Sequence, residues 1–202
     1  MKKLLHVGCN ILTKDGTIPY FSGSEWQEIR YDIDPSVNPT IIGSMTDLGM
    51  IDAGSIDAIY SAHNIEHLYE FEAKTALLEF YRVLKDGGFL VLACPDLESV
   101  CQIVIDKGLY GIAYKTREGV GITPHDMIYG WGRVIETGNL FFAHKCGFDT
   151  ASMHQKLGNA RFMDFATFVA KTDFTLWAVA RKGPSDESSI EEFARTVLIG
   201  VM

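Results

Sequence analysis

The sequence predicts an α/β fold with a mostly parallel sheet. Short apolar segments ending at turn residues recur through the first half, and an amphipathic helix follows one of them. A nearly continuous apolar segment, 89–94, comes directly after that helix. Parallel strands are covered by helices on both faces and therefore read as unbroken apolar runs. Their alternation with helices implies right-handed crossovers within one sheet.

Five strands are predicted in the first half of the chain. They cover residues 3–7, 28–33, 40–42, 56–62 and 89–94. Three of them end at Gly8, Pro35 and Pro95, because glycine and proline disfavour the interior of a strand. A helix is predicted over 72–84, since its apolar residues share one face: Ala73, Leu77, Tyr81 and Leu84.

The second half contains a long segment, 97–147, that is rich in Gly and Tyr and weakly periodic. It predicts a helix near 97–107 followed by irregular loops, an insertion of the kind that often forms a lid or binding region. A helix is predicted over 150–160. The strands 162–171 and 174–182, joined by a two-residue turn, predict a closing antiparallel hairpin.

The C-terminal segment 184–202 predicts a polar linker and a short amphipathic helix. A capping signal runs from Ser188 to Glu191. We interpret the segment as an appended element for packing or for a homodimer. The main domain is therefore expected to be residues 1–183. No second domain is predicted.

Composition excludes several classes of partner. The 202 residues carry a net charge of −8, and 47% are hydrophobic, values typical of one globular domain. No Lys/Arg-rich patch occurs, so binding to nucleic acid or to an anionic membrane is not expected.

The cysteines and the N-terminus predict a cytoplasmic protein. Cys9, Cys94, Cys101 and Cys146 form no C-x-x-C pair and are expected to be reduced. The apolar run after the first lysines is shorter than the roughly 7–15 residues of a signal peptide. No segment reaches the ~20 apolar residues of a membrane span.

Ligands of open α/β sheets bind at the carboxyl ends of the strands. Gly8 follows the first strand and permits close approach to the backbone. Asp32, after the second strand, can accept both hydroxyls of a ribose. These residues predict an adenosine-containing cofactor. A nicotinamide dinucleotide is disfavoured because G-x-G-x-x-G, which cradles a pyrophosphate, is missing after Gly8.

In chain order the sequence contains KLLHVGCN, YDIDP, GSMTDL, GSIDAIYSAHNIEHL, EFYRVLKDGGFLVLACPD, FFAHKCGF and FTLWAVA. This series resembles the class I S-adenosylmethionine-dependent methyltransferases of the methyltransferase type 11-like group. The resemblance implies a Rossmann-like fold, with a seven-stranded, mostly parallel sheet that has one antiparallel strand and helices on both faces. It implies S-adenosylmethionine as the cofactor.

The resemblance also implies a set of cofactor-binding residues. Gly8 corresponds to the glycine beside the methionine moiety, Asp32 to the ribose-binding acid, and Ser44 with Met45 to the adenine contacts. The full set is Gly8, Cys9, Asn10, Asp32, Ser44, Met45, Ser61 and Ala62. Asp34 is the alternative to Asp32, but the second acid of such a pair often caps the following turn.

The chain departs from the family at three positions of the first loop. His6 replaces an acid, and Asn10 and Leu12 replace glycines. These departures motivate an alternative function, a protein that binds S-adenosylmethionine or S-adenosylhomocysteine without turnover and serves a regulatory or scaffold role.

The stretch SAHNIEHLYE contains His63, Glu66 and His67, which would share one face if a helix began near residue 62. Some relatives use Glu-x-x-Glu-His here, with a later His, to hold a divalent metal. The resemblance therefore implies a metal site at His63, Glu66, His67 and His144. Such ligands suit Zn²⁺, Fe²⁺ or Ni²⁺ better than Mg²⁺. The alternatives are a histidine general base and a purely structural helix anchor.

The expected reaction is methyl transfer to an oxygen or nitrogen atom of a small-molecule acceptor. The insertion is expected to cover the acceptor pocket, with His125 and Tyr129 as candidate wall residues. Similar Ile-Tyr-Gly segments occur in methyltransferases of cell-surface sugar pathways, so a sugar-like acceptor is one interpretation. Tyr110 and Trp131 could stack on a ring, although such aromatic residues usually pack in the core.

Overall fold

Residues 1–183 and 189–201 are described by the computed structural model. The strands are β1 Lys2–Val7, β2 Trp26–Asp32, β3 Ile41–Ile42, β4 Ile56–Ala62, β5 Leu84–Pro95, β6 Tyr114–Lys115, β7 Gly121–Ile122, β8 Asp164–Val169 and β9 Thr175–Arg181. The helices are α1 Glu70–Val83, α2 Leu97–Lys107, α3 Pro124–Tyr129, α4 Gly132–Ile135, α5 Thr150–Asn159 and α6 Ile190–Val197.

The main sheet of the described residues has seven strands in the order β3-β2-β1-β4-β5-β9-β8. Strands β1 to β5 pair in parallel, and β9 runs antiparallel to both β5 and β8. The predicted fold class is therefore confirmed. Because strand order reverses between β1 and β4, a cleft opens there at the carboxyl ends of the strands.

Different elements cover the two faces of the sheet. On one face α1 and α5 bury Leu77, Phe80 and Leu157 against the strands. On the other face the segment after β1 contributes Phe21, whose ring lies 5.1 Å from that of Trp26. The strands are thus apolar on both sides, which explains why they read as continuous apolar runs.

Helix α6 completes this second face. Ser189 caps it by accepting the Glu192 N–H, whereas the predicted cap Ser188 lies outside the described residues. Its apolar face packs on β8 and β9, and the rings of Phe193 and Phe89 lie 5.0 Å apart. The helix therefore buries its apolar face in its own chain, while a homodimer stays a prediction.

The insertion 97–147 is more regular than predicted. Where irregular loops were expected, it contains the β6–β7 hairpin and the short helices α3 and α4. Local polar bonds explain the difference: Thr123 and Asp126 form a reciprocal capping box that begins α3. The Thr116 N–H donates to the Val120 carbonyl and closes the hairpin.

No helix begins near residue 62, so the expectation of a shared helical face there is wrong. His63 has a left-handed backbone with φ of 50°, and a single 3₁₀ turn covers Ile65–His67. Helix α1 begins only at Glu70, because the Glu72 side chain accepts the Tyr69 N–H at 2.8 Å.

All four cysteines lie within the described residues and are free thiols, and Cys9 and Cys94 are buried. None of the helices in residues 1–183 and 189–201 has the length and apolar character needed to cross a lipid bilayer.

A buried histidine joins β1 to β2. His6 is 3% exposed, and its Nδ1 lies 2.8 Å from Glu28 Oε1. Burial lowers the pKa of His6 below its ordinary value, although the hydrogen bond and charge of Glu28 oppose the shift. The unfolded chain therefore binds a proton at His6 at a higher pH than the folded protein does.

We expect His6 to destabilise the fold as the pH falls from 7.5 to 5.5. Below about pH 6.5 the unfolded state takes up the proton first, which lowers the free energy of unfolding by ~1 kcal/mol over that range. Urea denaturation at both pH values measures this loss. His6→Asn should remove it, and His154→Asn, at an exposed position, should retain it. Equal losses in the wild type and His6→Asn would contradict the prediction.

Candidate functional site

A cavity of about 470 Å³ lies at the carboxyl ends of β1, β2 and β4. Five predicted cofactor residues line it: Gly8, Asn10, Asp32, Ser44 and Met45. The other three, Cys9, Ser61 and Ala62, are not among its lining residues. Cys9 and Ser61 are fully buried, and the Ser61 hydroxyl accepts a hydrogen bond from Asn64 at 3.2 Å.

Gly8 is required at the end of β1 for two reasons. Its φ of 67° is a left-handed conformation that disfavours other residues, and a Cβ there would collide with the Asn64 side chain. Asn64 also lines the cavity and was not identified from the sequence. The hydrogen bond to Ser61 holds Asn64 over the glycine.

Asp32 and Asp34 have different partners. Asp32 accepts the Asn10 N–H with Oδ2 at 2.8 Å and the Asp34 N–H with Oδ1 at 2.9 Å. Asp34 accepts the Ser36 N–H at 2.8 Å and caps the next turn, and this bonding lowers the pKa of Asp34. Asp34 thus caps the turn, and both carboxylates line the cavity.

An arginine supports the loop where the family has glycines. The Arg30 guanidinium donates to the carbonyl groups of Asn10, Leu12 and Asn38. Asn10 has a φ of 47°, a conformation that asparagine tolerates better than most residues. The loop thus keeps a turn at Asn10 without a second glycine. Arg30 was not identified from the sequence, because it lies within β2 and far from Asn10 along the chain.

Apolar side chains form the wall of the cavity beyond Asp32. Ile33, Val37, Met45 and Leu68 line this region. Such a surface suits a flat heterocycle, because aromatic rings gain by burying both faces.

A second group of polar side chains lies beside the cavity. One ligand atom from each of Glu66, His67 and His144 falls within 4.8 Å of the others, a spacing that could hold a metal ion. Glu66 is 1% exposed, and neither carboxylate oxygen has a hydrogen-bond partner among the described residues. An unpartnered buried carboxylate is costly and indicates a ligand or a compensating charge.

Both histidine rings of this group are oriented by main-chain carbonyls. His67 Nδ1 lies 3.2 Å from the Ala143 oxygen, and His144 Nδ1 lies 2.9 Å from the Met127 oxygen. A carbonyl oxygen only accepts, so each Nδ1 carries the hydrogen, and in the neutral ring Nε2 keeps a lone pair for a ligand. Such carbonyl partners are typical of metal-ligating histidines.

The same main chain joins the insertion to the 3₁₀ turn. The Lys145 and Cys146 N–H groups donate to the Glu66 carbonyl, which brings His144 next to His67. The two imidazole rings lie 4.9 Å apart. The sequence-based pairing of the SAHNIEHLYE stretch with His144 therefore agrees with the geometry.

His63, the fourth predicted ligand, lies outside the group of three. Its ring is 51% exposed, and Nδ1 lies 3.6 Å from Glu66 Oε1. Burial opposes protonation, but the contact with Glu66 and its charge, helped by Asp173, raise the pKa of His63 above its ordinary value. Burial opposes ionisation of Glu66, but the contact with His63 and the charges of the other histidines lower the pKa of Glu66. Burial lowers the pKa of His144.

The insertion supplies one wall of the cavity. Phe141, Phe142 and Lys145 line it, and none of them was predicted as a site residue. All three residues belong to the FFAHKCGF segment, of which only His144 was predicted to be a site residue. Three of the proposed lid residues instead stack on one another, with ring distances of 5.2 Å for Tyr110–His125 and 5.1 Å for His125–Tyr129. Trp131 is likewise not among the lining residues.

Comparisons with known proteins agree with this architecture. The family model described as a methyltransferase domain matches residues 25–92. No curated protein was found to be significantly similar in sequence.

Solved structures share the fold at low sequence identity. A SAM-dependent methyltransferase from Methanosarcina mazei is 14% identical with a TM-score of 0.57, and the match covers 91% of this chain and 93% of that one. One from Archaeoglobus fulgidus is 13% identical with a TM-score of 0.59, covering 90% and 86%.

A possible exported protein from Bordetella parapertussis is 15% identical with a TM-score of 0.58. The match covers 90% of this chain but only 62% of that protein, so this chain spans less than two thirds of its length.

The strand order, the cavity beside Gly8 and Asp32, and the matched segment lead to the same assignment. The chain therefore shares the fold of solved SAM-dependent methyltransferases, and residues 25–92 match a methyltransferase domain.

Proposed function

We propose that this protein transfers the methyl group of S-adenosylmethionine to an oxygen or nitrogen atom of a small-molecule acceptor. One observation supports this function above the others: a single cavity is lined by Asp32 at one end and by His63 and His67 at the other. The first end suits a ribose, and the second offers groups that can bind a proton next to a reacting atom.

The residues of the cavity fit the cofactor. Asp32 would accept the ribose hydroxyls, Met45 and Leu68 would contact the adenine, and Gly8 with Asn64 would contact the methionine moiety. When bound, S-adenosylmethionine supplies an electrophilic methyl group on a sulfonium. The chain contributes mainly by alignment, because methyl transfer requires the nucleophile, the methyl carbon and the sulfur to lie in line.

The bonds and charges of the reaction balance within the site. A lone pair of the acceptor forms the new carbon–oxygen or carbon–nitrogen bond, the sulfur–methyl bond breaks, and the sulfonium becomes a neutral thioether. The acceptor then loses a proton. Where no cation is bound, His63 would take it, because the nearby Glu66 carboxylate stabilises a protonated imidazole.

We also propose that Glu66, His67 and His144 hold a divalent cation. The fit rests on the two unpartnered Glu66 oxygens and on the two Nε2 lone pairs left free by the carbonyl bonds. A carboxylate with two imidazoles suits Zn²⁺, Fe²⁺ or Ni²⁺. A bound cation would supply positive charge that lowers the pKa of an acceptor hydroxyl.

A second candidate function is binding of S-adenosylmethionine or S-adenosylhomocysteine without turnover. The observation in its favour is that both Asp32 oxygens already accept main-chain N–H groups, and that Leu12 replaces a family glycine. Turnover of any acceptor distinguishes the two functions.

The cofactor assignment predicts selective stabilisation by ligands. A ligand that binds only the folded state raises the melting temperature by mass action. We expect S-adenosylmethionine and S-adenosylhomocysteine to raise the melting temperature in a thermal-shift experiment, whereas NAD should not. If neither sulfur compound shifts the transition, both candidate functions are removed. A shift without product formation across an acceptor panel would support the second.

The Asp32 carboxylate is expected to carry much of the cofactor affinity. Asp32→Asn should weaken S-adenosylhomocysteine binding at least about tenfold, the equivalent of ~1.4 kcal/mol for a charge-assisted hydrogen bond. Isothermal titration calorimetry measures the change. The control variant Asp34→Asn, which changes the carboxylate two residues further along the chain, should bind S-adenosylhomocysteine within about twofold of the wild type. Equal effects of the two substitutions would contradict the assigned roles.

The metal assignment predicts a stoichiometric divalent ion. Elemental analysis of the purified protein, after incubation with Zn²⁺ and removal of excess, should find about one ion per chain. His67→Ala and His144→Ala should each lower the content to a small fraction, because two remaining ligands bind weakly. His154→Ala, a histidine outside the group, should retain it. A metal-free wild type would end the metal hypothesis.

A further inference from the structure

The turn between β8 and β9 lies at the same edge of the sheet as the cavity. Since β9 runs antiparallel to β5, the start of β9 lies beside the carboxyl end of β5, with Thr175 paired to Pro95. The Asp96 N–H donates to the Phe174 carbonyl at 2.9 Å. Asp173 is therefore placed next to the ends of β4 and β5, where His63 begins its left-handed turn.

Phe174 is held in a conformation that bulky residues rarely adopt. Its φ is 59°, a left-handed backbone that disfavours any residue with a Cβ. The strain is maintained by bonds on both sides, since the Phe174 N–H also donates to the Ala170 carbonyl at 3.0 Å. Strained residues persist where their surroundings fix them, and they concentrate at binding sites.

The carboxylate of Asp173 is only partly used within this turn. Oδ1 accepts the Thr175 N–H at 3.2 Å, and Oδ2 has no hydrogen-bond partner within the described part of the chain. The side chain is partly buried, so Oδ2 keeps a free accepting site close to the carboxyl ends of the strands.

The insertion brings a tyrosine to the same place. The Tyr114 ring of β6 lies 6.5 Å from the Phe174 ring, and its hydroxyl makes no hydrogen bond to any described residue. Burial, followed by the charges of Asp173 and Asp126, raises the pKa of Tyr114, so the phenol stays protonated and can donate. Asp126 is itself occupied by the Thr123 capping bonds.

Three segments thus meet at this edge of the sheet: the end of β4 with His63, the β6–β7 hairpin with Tyr114, and the β8–β9 turn with Asp173. A carboxylate oxygen that accepts, a phenol that donates and an exposed imidazole form a complementary set for neighbouring hydroxyl groups, each of which donates and accepts. Convergent polar groups of this kind usually fix the orientation of a ligand.

We propose that Tyr114, Asp173 and His63 form the acceptor subsite, and that it recognises an acceptor with adjacent hydroxyl groups and no acidic group. The inference rests on the proposed methyl transfer and adds the class of acceptor. Asp173 and Tyr114 bind and position the acceptor hydroxyls next to the cavity. The Asp173 carboxylate excludes an acidic acceptor by like-charge repulsion.

The subsite can be tested without a known natural acceptor. We suggest saturation-transfer NMR on protein loaded with S-adenosylhomocysteine, using a set of methyl hexosides as polyhydroxylated probes. Quinate serves as a polyol that carries a carboxylate, and ethanolamine and tyramine serve as amine probes. The wild type should give signals with methyl hexosides and none with quinate.

Substitutions then assign the residues. Asp173→Asn and Tyr114→Phe should each reduce the hexoside signal at least about fivefold, and Lys171→Ala, an exposed position in the same turn, should leave it unchanged. Asp173→Asn should also gain a signal with quinate, because it removes the repulsion. A purely structural role of Asp173 would not produce this gain.

Cofactor binding separates this inference from the proposed function. Each variant should bind S-adenosylhomocysteine within about twofold of the wild type by calorimetry. If the wild type does not bind it, the proposed function fails, and the same NMR experiment on the ligand-free protein still reports on the subsite. The inference is overturned if no methyl hexoside binds, if both variants bind hexosides like the wild type, or if only amines bind.

Discussion

The organisation of the site depends on one buried charge. Glu66 is removed from water, and its carboxylate has no hydrogen-bond donor among the described residues. A carboxylate in such a place must be compensated by positive charge, or it would take up a proton. The rings of His63, His67 and His144, which come from two distant parts of the chain, surround it. Its main-chain carbonyl meanwhile ties the insertion to the sheet through Lys145 and Cys146.

The cofactor end of the cavity depends on a different kind of constraint. The family achieves a close approach to the ligand with several glycines, and this chain retains only Gly8. In this chain Arg30 supports the loop instead of further glycines. Its guanidinium donates to main-chain carbonyls that would otherwise lack a hydrogen-bond donor. The loop therefore forms its turn at Asn10 with side-chain support from Arg30.

The sheet could be predicted from the sequence because its signals are local. Each buried strand is an apolar run with a turn residue after it, as in 56–62 and 89–94, and the order of the segments resembles that of class I methyltransferases. The strands β6 and β7 were not predicted, because each is only two residues long and a segment of that length has no periodicity. The capping pair Thr123 and Asp126 is a local sequence pattern that indicates the start of α3.

The site was predictable only in part, for a physical reason. Gly8, Asp32 and the Glu66-His67 pair follow strands, so their position could be inferred from topology. Asn64, Arg30 and the left-handed backbone of His63 depend on contacts between segments, and these contacts leave no pattern along the chain. Asp173 is an extreme case, since it is about 110 residues from His63 in sequence.

The two carbonyl bonds to the histidine rings have a consequence for movement of the insertion. Met127 and Ala143 belong to the insertion, whereas His67 belongs to the sheet side, so any displacement of the insertion releases His67 and carries His144 away with Met127. If a substrate can enter only when the insertion is displaced, the three residues that could hold an ion would be separated during entry.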